Sequence, residues 1–519
     1  MALANFFEKA ALAASQVLRD FDRTVFAQQL ESNPVLLAFD GAAIASSQGR
    51  ATIDLSARLL GRLYPIIMVQ ALDHAAQAYV PAVEALLQAI NPKIDLHASR
   101  CCVALVVGDT ALQATDAACP TFYVGSLDWL ALFSPNAPVS SGSSSNPFGA
   151  GAAACLGVAN VFRTVFAASL PHAQVDSEVR LSLLTYDANT AQPAWPEVIS
   201  LSDTILVGVG AIGNGAVWAL SQLIQAEGTL VVVDDETIDL SNLQRYALAT
   251  QDDINLAKVM LAIARLGSTK LTTAAFEGSW SQYLGQRSNW VLPRVAVAVD
   301  SAAARISIQS SLPRRITNAW TQSTDLGISR HPDFIEKVCL ACLYMPKGQR
   351  QSESEMVASA LKLPELEVRE LLYRNVAVDA GLAERIAVIN QQPVELLLPF
   401  VGRPLRRFYQ ETVCGGVLLT TEAGHLNETP MAFQSALAGV MLAAELVIED
   451  LNIRPTELVS TTRINLLQPL GAHLNIPVQK QPGSRCFCHD KHFQQAYRDK
   501  YLDGLTGISY RNAAELSKG

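Results

Sequence analysis

The chain is predicted to be α/β throughout, with two domains each built on a mostly parallel sheet. Three observations carry this. Short apolar runs alternate with amphipathic or alanine-rich stretches along the 519 residues, the pattern that lays parallel strands side by side with helices on their faces. The length exceeds what one core holds and implies two or three domains. The stretch from Thr204, T-I-L-V-G-V-G-A-I-G-N-G-A-V-W-A-L-S-Q-L, leads into L-V-V-V-D-D-E-T-I-D-L-S-N-L-Q-R-Y. It reads as a strand, a turn with Gly208, Gly210 and Gly213, a helix from Asn214 and a second strand ending at Asp234, a βαβ unit that opens a nucleotide-binding sheet. Glycines there let the chain turn tightly and present bare N–H groups to phosphate, with the positive end of the next helix behind them. Taken alone, the pattern leaves a packing role open.

Composition narrows the function. Half the residues are apolar and 17% are charged, as in a packed globular protein. The net charge of -9 argues against a general nucleic-acid binder, which needs a basic field, but leaves a nucleotide open as a small ligand. No run of 18 apolar residues occurs, and the opening M-A-L-A-N-F-F-E-K-A-A-L lacks a basic region, long apolar core and cleavage site. No membrane span and a cytoplasmic location are expected.

In the first half, residues 1 to about 35 read as helical, with Phe6, Phe7, Leu12, Val17 and Leu18 forming an apolar face. V-L-L-A-F-D-G, Y-P-I-I-M-V-Q, C-C-V-A-L-V-V-G-D and T-F-Y-V-G-S are short strands between alanine-rich helices. A-F-D-G-A-A-I-A follows the first strand in place of a glycine-spaced turn, so a structural or partner-binding domain is expected. The loop from Ala137 to Gly149 reads as a connection, with a pocket-lining role as its alternative. V-R-L-S-L-L-T-Y is an edge strand before a proline-punctuated link ending near Glu197.

In the second half, a helix from Asn255 to Leu266 carries Lys258, a polar irregular stretch follows, and V-A-V-A-V-D ends at Asp300. Ligands of open α/β sheets gather at such strand ends, although an aspartate there also serves as a helix cap. From Pro346 to about Tyr409 charge and helix propensity rise, as in an inserted helical module. The helix from Pro430 is apolar with small residues for close packing, and T-R-I-N-L-L is a late strand.

Nine cysteines, odd in number and clustered, suggest reduced thiols rather than a secreted disulfide framework. Cys339 and Cys342 form C-L-A-C, and Cys486 and Cys488 form C-F-C-H. Two thiolate pairs far apart in sequence commonly share one tetrahedral zinc. The second pair is tightly spaced, so His489 or His492 is an alternative ligand, and four unrelated buried thiols are the other reading. Cys414, followed by two glycines, is sterically open and able to act as a nucleophile if its thiol pKa is lowered; a packed free cysteine is the alternative.

The glycine turn, Asp234, L-S-N-L-Q-R, Lys258, Asp300, C-L-A-C, Cys414 and C-F-C-H follow one another in an order that resembles the superfamily of ubiquitin-activating enzymes and of ThiF, MoeB and HesA adenylyltransferases. The resemblance covers roughly residues 200 to 510. It implies two Rossmann-like α/β domains, a degenerate N-terminal one over 1–190 and an active ThiF-type one in two parts, 200–345 and 411–510, around a helical insert at 346–410, with a structural zinc site. It also implies that ATP and Mg2+ are bound, with Zn2+ on Cys339, Cys342, Cys486 and Cys488. Gly208, Gly210 and Gly213 would form the phosphate turn, Asp234 and Glu236 the ribose side, Asn242, Arg245 and Lys258 the phosphate contacts, and Asp300 the magnesium carboxylate. Arg245, Lys258 and Asp300 would then serve catalysis of adenylation, and Cys414 would take the acyl group as a thioester. The implied partners are a ubiquitin-like protein with a C-terminal glycine and a conjugating enzyme. Family members work as homodimers or with an inactive partner domain; here the first domain is the candidate partner, with Arg23 as the arginine it would supply, and a homodimer stays open. The layout resembles the activating enzymes of bacterial ubiquitin-like conjugation operons of the antiphage, Bil type. A sulfur-carrier or peptide adenylyltransferase acting without a conjugating enzyme is the second reading, and a non-catalytic nucleotide-fold scaffold the third. Two departures are the spacing of Cys486 and Cys488 and Tyr246, where many members have glutamine.

Overall fold

The computed structural model describes residues 2–113, 119–345, 352–390, 392–409, 412, 429–480 and 486–502. These form two compact units, Pro346–Thr429 and the rest.

The larger unit carries two sheets. The first joins β1 (Val35–Phe39), β2 (Ile67–Ala71), β3 (Val103–Val107), β4 (Thr121–Leu127), β5 (Leu130–Ser134) and β6 (Val179–Ser182) in the order 2-1-3-4-5-6. β1 to β4 run parallel and β5 and β6 antiparallel. The second contains β7 (Ile199–Val207), β8 (Ala226–Asp234), β9 (Thr272–Glu277), β10 (Arg294–Val297), β11 (Arg315–Thr321), β12 (Leu326–His331), β13 (Thr461–Ile464) and β14 (Asn475–Ile476). Its order is 14-13-12-11-10-7-8-9, parallel from β9 to β11 and antiparallel beyond. The order 2-1-3-4-5-6 is repeated strand for strand by 8-7-10-11-12-13. A long helix follows β5 in the first sheet, Phe148–Val165, and another precedes β13 in the second, Ala432–Leu451. The two domains are therefore variants of one topology.

Buried strands explain the unbroken apolar runs: all five residues of β1 and of β3 are buried, as in parallel sheets covered on both faces. Between the sheets the Ala432–Leu451 helix packs on Ala211–Ser221 and Phe148–Val165, and the latter on Ser47–Leu60. One continuous core joins both domains. Phe162 and Phe433 meet across it with ring centroids 5.7 Å apart, and Trp218 donates its indole N–H to Asp54 at 2.8 Å. Phe148–Val165 and Ala432–Leu451 are long and apolar enough to cross a membrane, but they are 89% and 94% buried inside the protein.

The sequence reading needs three corrections here. The polar stretch after Leu266 is ordered, forming β9 and the Trp280–Gln286 helix; four of the six residues of β9 are exposed and none is fully buried, so no apolar run marked it. The helix read from Asn255 begins at Lys258, because Asn255 takes a positive φ of 70°. The helix read from Asn214 begins at Ala211.

The smaller unit contains helices Glu353–Leu361, Glu365–Tyr373, Ala380–Ile389 and Leu405–Tyr409 around its own core of Leu361, Val368, Ile386, Leu397 and Phe408.

The central helix crossing requires glycine. A Cβ on Gly439 would lie 2.2 Å from Ile212 O and 2.5 Å from Ala216 N, and one on Gly215 would lie 2.7 Å from Ala436 O. Gly439→Ala is expected to destabilise the protein by about 1–3 kcal/mol in urea unfolding, because two backbones must separate. Gly471→Ala, where nothing lies within 4 Å, should change stability by less than about 0.5 kcal/mol.

Candidate functional site

The carboxyl ends of β7, β8 and β10 meet at the glycine turn. Gly208 has φ 92°, and a Cβ there would lie 2.8 Å from Ala298 O just beyond β10, so the turn is pressed against the neighbouring strand end. Gly213 is equally constrained, its Cβ position lying 2.2 Å from Gly208 O. Gly210 differs: its nearest neighbour is the Tyr246 hydroxyl at 3.7 Å. Packing explains two of the glycines, while the third leaves space over the start of the Ala211–Ser221 helix, where amides favour an anion.

Asp234, the last residue of β8, accepts from Val209 N at 2.6 Å and from Glu236 N at 3.0 Å. It thereby ties the second strand to the turn. Burial raises its pKa, opposed by Lys258 and the two amide bonds. Lys258 is the first residue of its helix and buried, and its ammonium pairs with Glu236 and lies 5.2 Å from the Tyr246 ring centroid. Burial works against its charge, but Tyr246, Asp234 and Glu236 outweigh it and hold the pKa above the ordinary lysine value.

The L-S-N-L-Q-R segment is a 3-10 turn over Leu240–Gln244. Asn242 is engaged locally, its Oδ1 accepting from Asp239 N at 2.9 Å in a capping box. Arg245 stacks near Tyr246 at 5.7 Å, and its Nη1 is buried without a hydrogen-bond partner. An unanswered guanidinium nitrogen beside an open helix N-terminus fits a phosphate ligand, the natural bidentate partner of arginine. Asp300 is exposed three residues beyond β10. The cap of the next helix is Ser301, whose hydroxyl accepts from Ala304 N at 3.1 Å, which leaves the Asp300 carboxylate uncommitted to capping.

Three contributors escaped the sequence reading because they come from the first domain or from a residue read as a departure. Tyr246 sits between Gly210, Arg245 and Lys258. Arg62, buried, donates to the carbonyls of Leu243, Ala247 and Ala249 at 2.6, 2.8 and 2.8 Å, clamping the segment that carries Arg245. Lys9 lies on the Phe7–Ser15 helix, which packs on Leu240–Gln244. Burial, and secondarily Arg245, lower its pKa to about 8, with Asp239 opposing. Arg23 pairs with Glu8 at the surface, so the first-domain cation beside Arg245 is Lys9.

The first sheet lacks this opening. Asp40, buried at the end of β1, accepts from Ala43 N, Asp109 N and Thr110 N at 2.9, 2.7 and 2.8 Å. A carboxylate of the chain itself thus takes the amides at the strand ends.

Cys339, Cys342, Cys486 and Cys488 converge, with all four Sγ atoms within 4.8 Å of one another and four of the six separations at 3.4 to 3.6 Å. Tetrahedral zinc with thiolates at about 2.3 Å requires roughly 3.8 Å between sulfurs, so the set fits zinc closely. No histidine belongs to this group among the described residues, and the alternative ligands His489 and His492 are not needed. Cys414 lies outside the described residues.

A model described as the ThiF family matches residues 186–449, just over half the chain. The chain belongs to the ThiF family. A model described as Prokaryotic E2 family C matches residues 38–167, where the resemblance implied a degenerate adenylation domain; the strand order there still repeats that of the ThiF-matched sheet. Uncharacterized protein y4jF of Sinorhizobium fredii (strain NBRC 101917 / NGR234) is 46% identical over 518 residues, covering 98% of this chain and 99% of that one. Sulfur carrier protein ThiS adenylyltransferase of Escherichia coli (strain K12) is 40% identical over 65 residues, 12% of this chain and 25% of that protein. Among solved structures, E. coli MccB with ATP overlaps 56% of this chain and 67% of its own at 13% identity, with a TM-score of 0.34.

Zinc analysis of the purified chain should find one ion, released by a strong chelator; Cys339→Ser or Cys488→Ser should lose it and lower the thermal midpoint. Full stability without metal would remove zinc from the fold.

Proposed function

We propose that this ThiF-family protein is an ATP-dependent adenylyltransferase that activates the terminal carboxylate of a small protein or peptide. The observation that carries the reading is the unpartnered Arg245 Nη1 beside the glycine turn, Lys258 and Asp234. A carboxylate oxygen bonds to the α-phosphorus, the bond to the β-phosphate bridge breaks, and pyrophosphate leaves. Negative charge grows on the phosphates in that step, and Arg245, Lys258 and the amides of the turn would stabilise it. Asp300 would hold Mg2+, which neutralises phosphate charge. The local likeness to a ThiS adenylyltransferase supports this reading over a non-catalytic scaffold.

A second reading adds a thioester on Cys414 and transfer of a ubiquitin-like protein to a conjugating enzyme. It is favoured by the Prokaryotic E2 family C match in the same chain. A phage-defence role belongs to this second reading.

The test is ATP–pyrophosphate exchange with a small protein or peptide that ends in a C-terminal glycine as the carboxylate substrate. Asp300→Ala should lower exchange by roughly a hundredfold or more; unchanged exchange removes Asp300 from the site. A thiol-sensitive adduct that disappears in Cys414→Ala, with exchange intact, establishes the second reading, and its absence in wild type leaves adenylation alone.

The pH profile tests Lys9. Its pKa of about 8 means that the ammonium form facing Arg245 and Asp239 is lost as pH rises through 8. Wild-type kcat/KM for ATP should fall across that range, and Lys9→Met should be lower below pH 8 and flat across it. A wild-type profile flat from pH 7 to 9 excludes Lys9 from nucleotide binding.

A further inference from the structure

A buried hydrogen-bond chain runs from the thiolate cluster to the end of β10. Val338, next to Cys339, accepts from His331 Nδ1 at 2.7 Å. That bond fixes the tautomer, so His331 Nε2 accepts from the Ser329 hydroxyl at 2.9 Å. Ser329 Oγ accepts in turn from Asn318 Nδ2 at 3.1 Å. Asn318 Oδ1 accepts from Arg305 Nε at 3.0 Å, and Arg305 Nη1 donates to the main-chain carbonyl of Asp300 at 3.1 Å. Four of these bonds are donated toward Val338, and Arg305 heads the series, donating through Nε to Asn318 and, in the other direction, through Nη1 to the Asp300 carbonyl.

Arg305 is 5% exposed. Its Nη2 lies 3.4 Å from Ala319 O, and its guanidinium sits 4.7 Å from the ring centroid of Tyr344, itself bonded to Asn318 at 3.2 Å. No carboxylate forms an ion pair with it among the described residues. A guanidinium whose hydrogen bonds go to neutral oxygens is costly to bury; burial lowers its pKa, opposed by Tyr344 and by the Asp300 carboxylate. What the charge does hold is the main chain of Asp300, whose own side chain stays exposed.

We propose that Arg305 is a positioning residue: it fixes the Asp300 backbone so that the carboxylate meets the divalent cation of a metal–ATP complex. This rests on the nucleotide reading of the site. The three oxygens and the Tyr344 ring match a flat fork of donors, which a lysine ammonium cannot reproduce.

The experiment uses the full chain and manganese as the probe, with free Mn2+ followed by electron paramagnetic resonance during titration in the presence of ATP. ATP binding without metal, in chelator, is measured alongside. Arg305→Lys should retain zinc and bind metal-free ATP as wild type does, but require roughly ten- to a hundredfold more Mn2+ for the ternary complex. Equal Mn2+ titrations of wild type and Arg305→Lys overturn the proposal and leave the nucleotide reading standing. A wild type that binds no ATP at all overturns both. If Arg305→Lys loses its zinc, Arg305→Gln, which buries no charge, is judged by the same two titrations.

Discussion

Main-chain contact between the Ala211–Ser221 and Ala432–Leu451 helices, made possible by Gly215 and Gly439, is the constraint on which the larger unit depends. The first helix begins at the glycine turn, so its position sets where amides face a phosphate. The second helix also packs on Phe148–Val165 of the first domain, so the same contact fixes one sheet against the other. Its far end carries Glu445, buried and bonded by Arg330, Arg454 and the Tyr186 hydroxyl. Burial opposes that charge, but the two guanidiniums hold its pKa down to about 2. A displaced helix would shift the start of the Ala211–Ser221 helix and strand this charge at once.

The shared strand order makes the difference between the two sheets informative. In each, an aspartate at or just beyond the end of the second strand accepts an amide from the segment that follows the first: Asp234 takes Val209 N, and Asp73 takes Gly41 N at 2.8 Å. The scaffold of the turn is thus retained in both. Only the content differs, since Asp40 fills in the first sheet what Gly208 to Gly210 leave open in the second. A carboxylate already bonded to three amides excludes a phosphate by charge as well as by volume. The first domain then contributes through its outer surface, by Arg62 on the 243–249 carbonyls and by Lys9 beside Arg245.

Much of the second sheet and its site was legible in the sequence because it is written in local patterns. Apolar runs marked β7, β8 and β10, glycine spacing marked the turn, and cysteine pairs marked the four-cysteine cluster. β9 was hidden because four of its six residues are exposed. Tyr246 looked like a departure from a motif, since its contacts with Gly210 and Lys258 exist only after folding. Lys9 and Arg62 stand more than 180 residues from the segment they support, and nothing in their neighbourhoods distinguishes them from ordinary helix cations. Asn242 was read as a ligand contact, while its Oδ1 caps a turn; short polar side chains serve both purposes, and spacing does not separate them.

Burial and neighbouring charge act together on the cations around the glycine turn. Arg245 and Lys9 lie close enough to repel, and burial already disfavours the Lys9 ammonium. Lys258 bears the same burial penalty, but Tyr246, Asp234 and Glu236 together outweigh it. The cations therefore divide into one that is compensated within its own domain and two that meet at a domain boundary with a guanidinium nitrogen left unanswered. An anion entering there would relieve the repulsion between Arg245 and Lys9 and satisfy Arg245 Nη1 together. Binding energy would thus be drawn from both domains, and either one alone would present only half of the anion site.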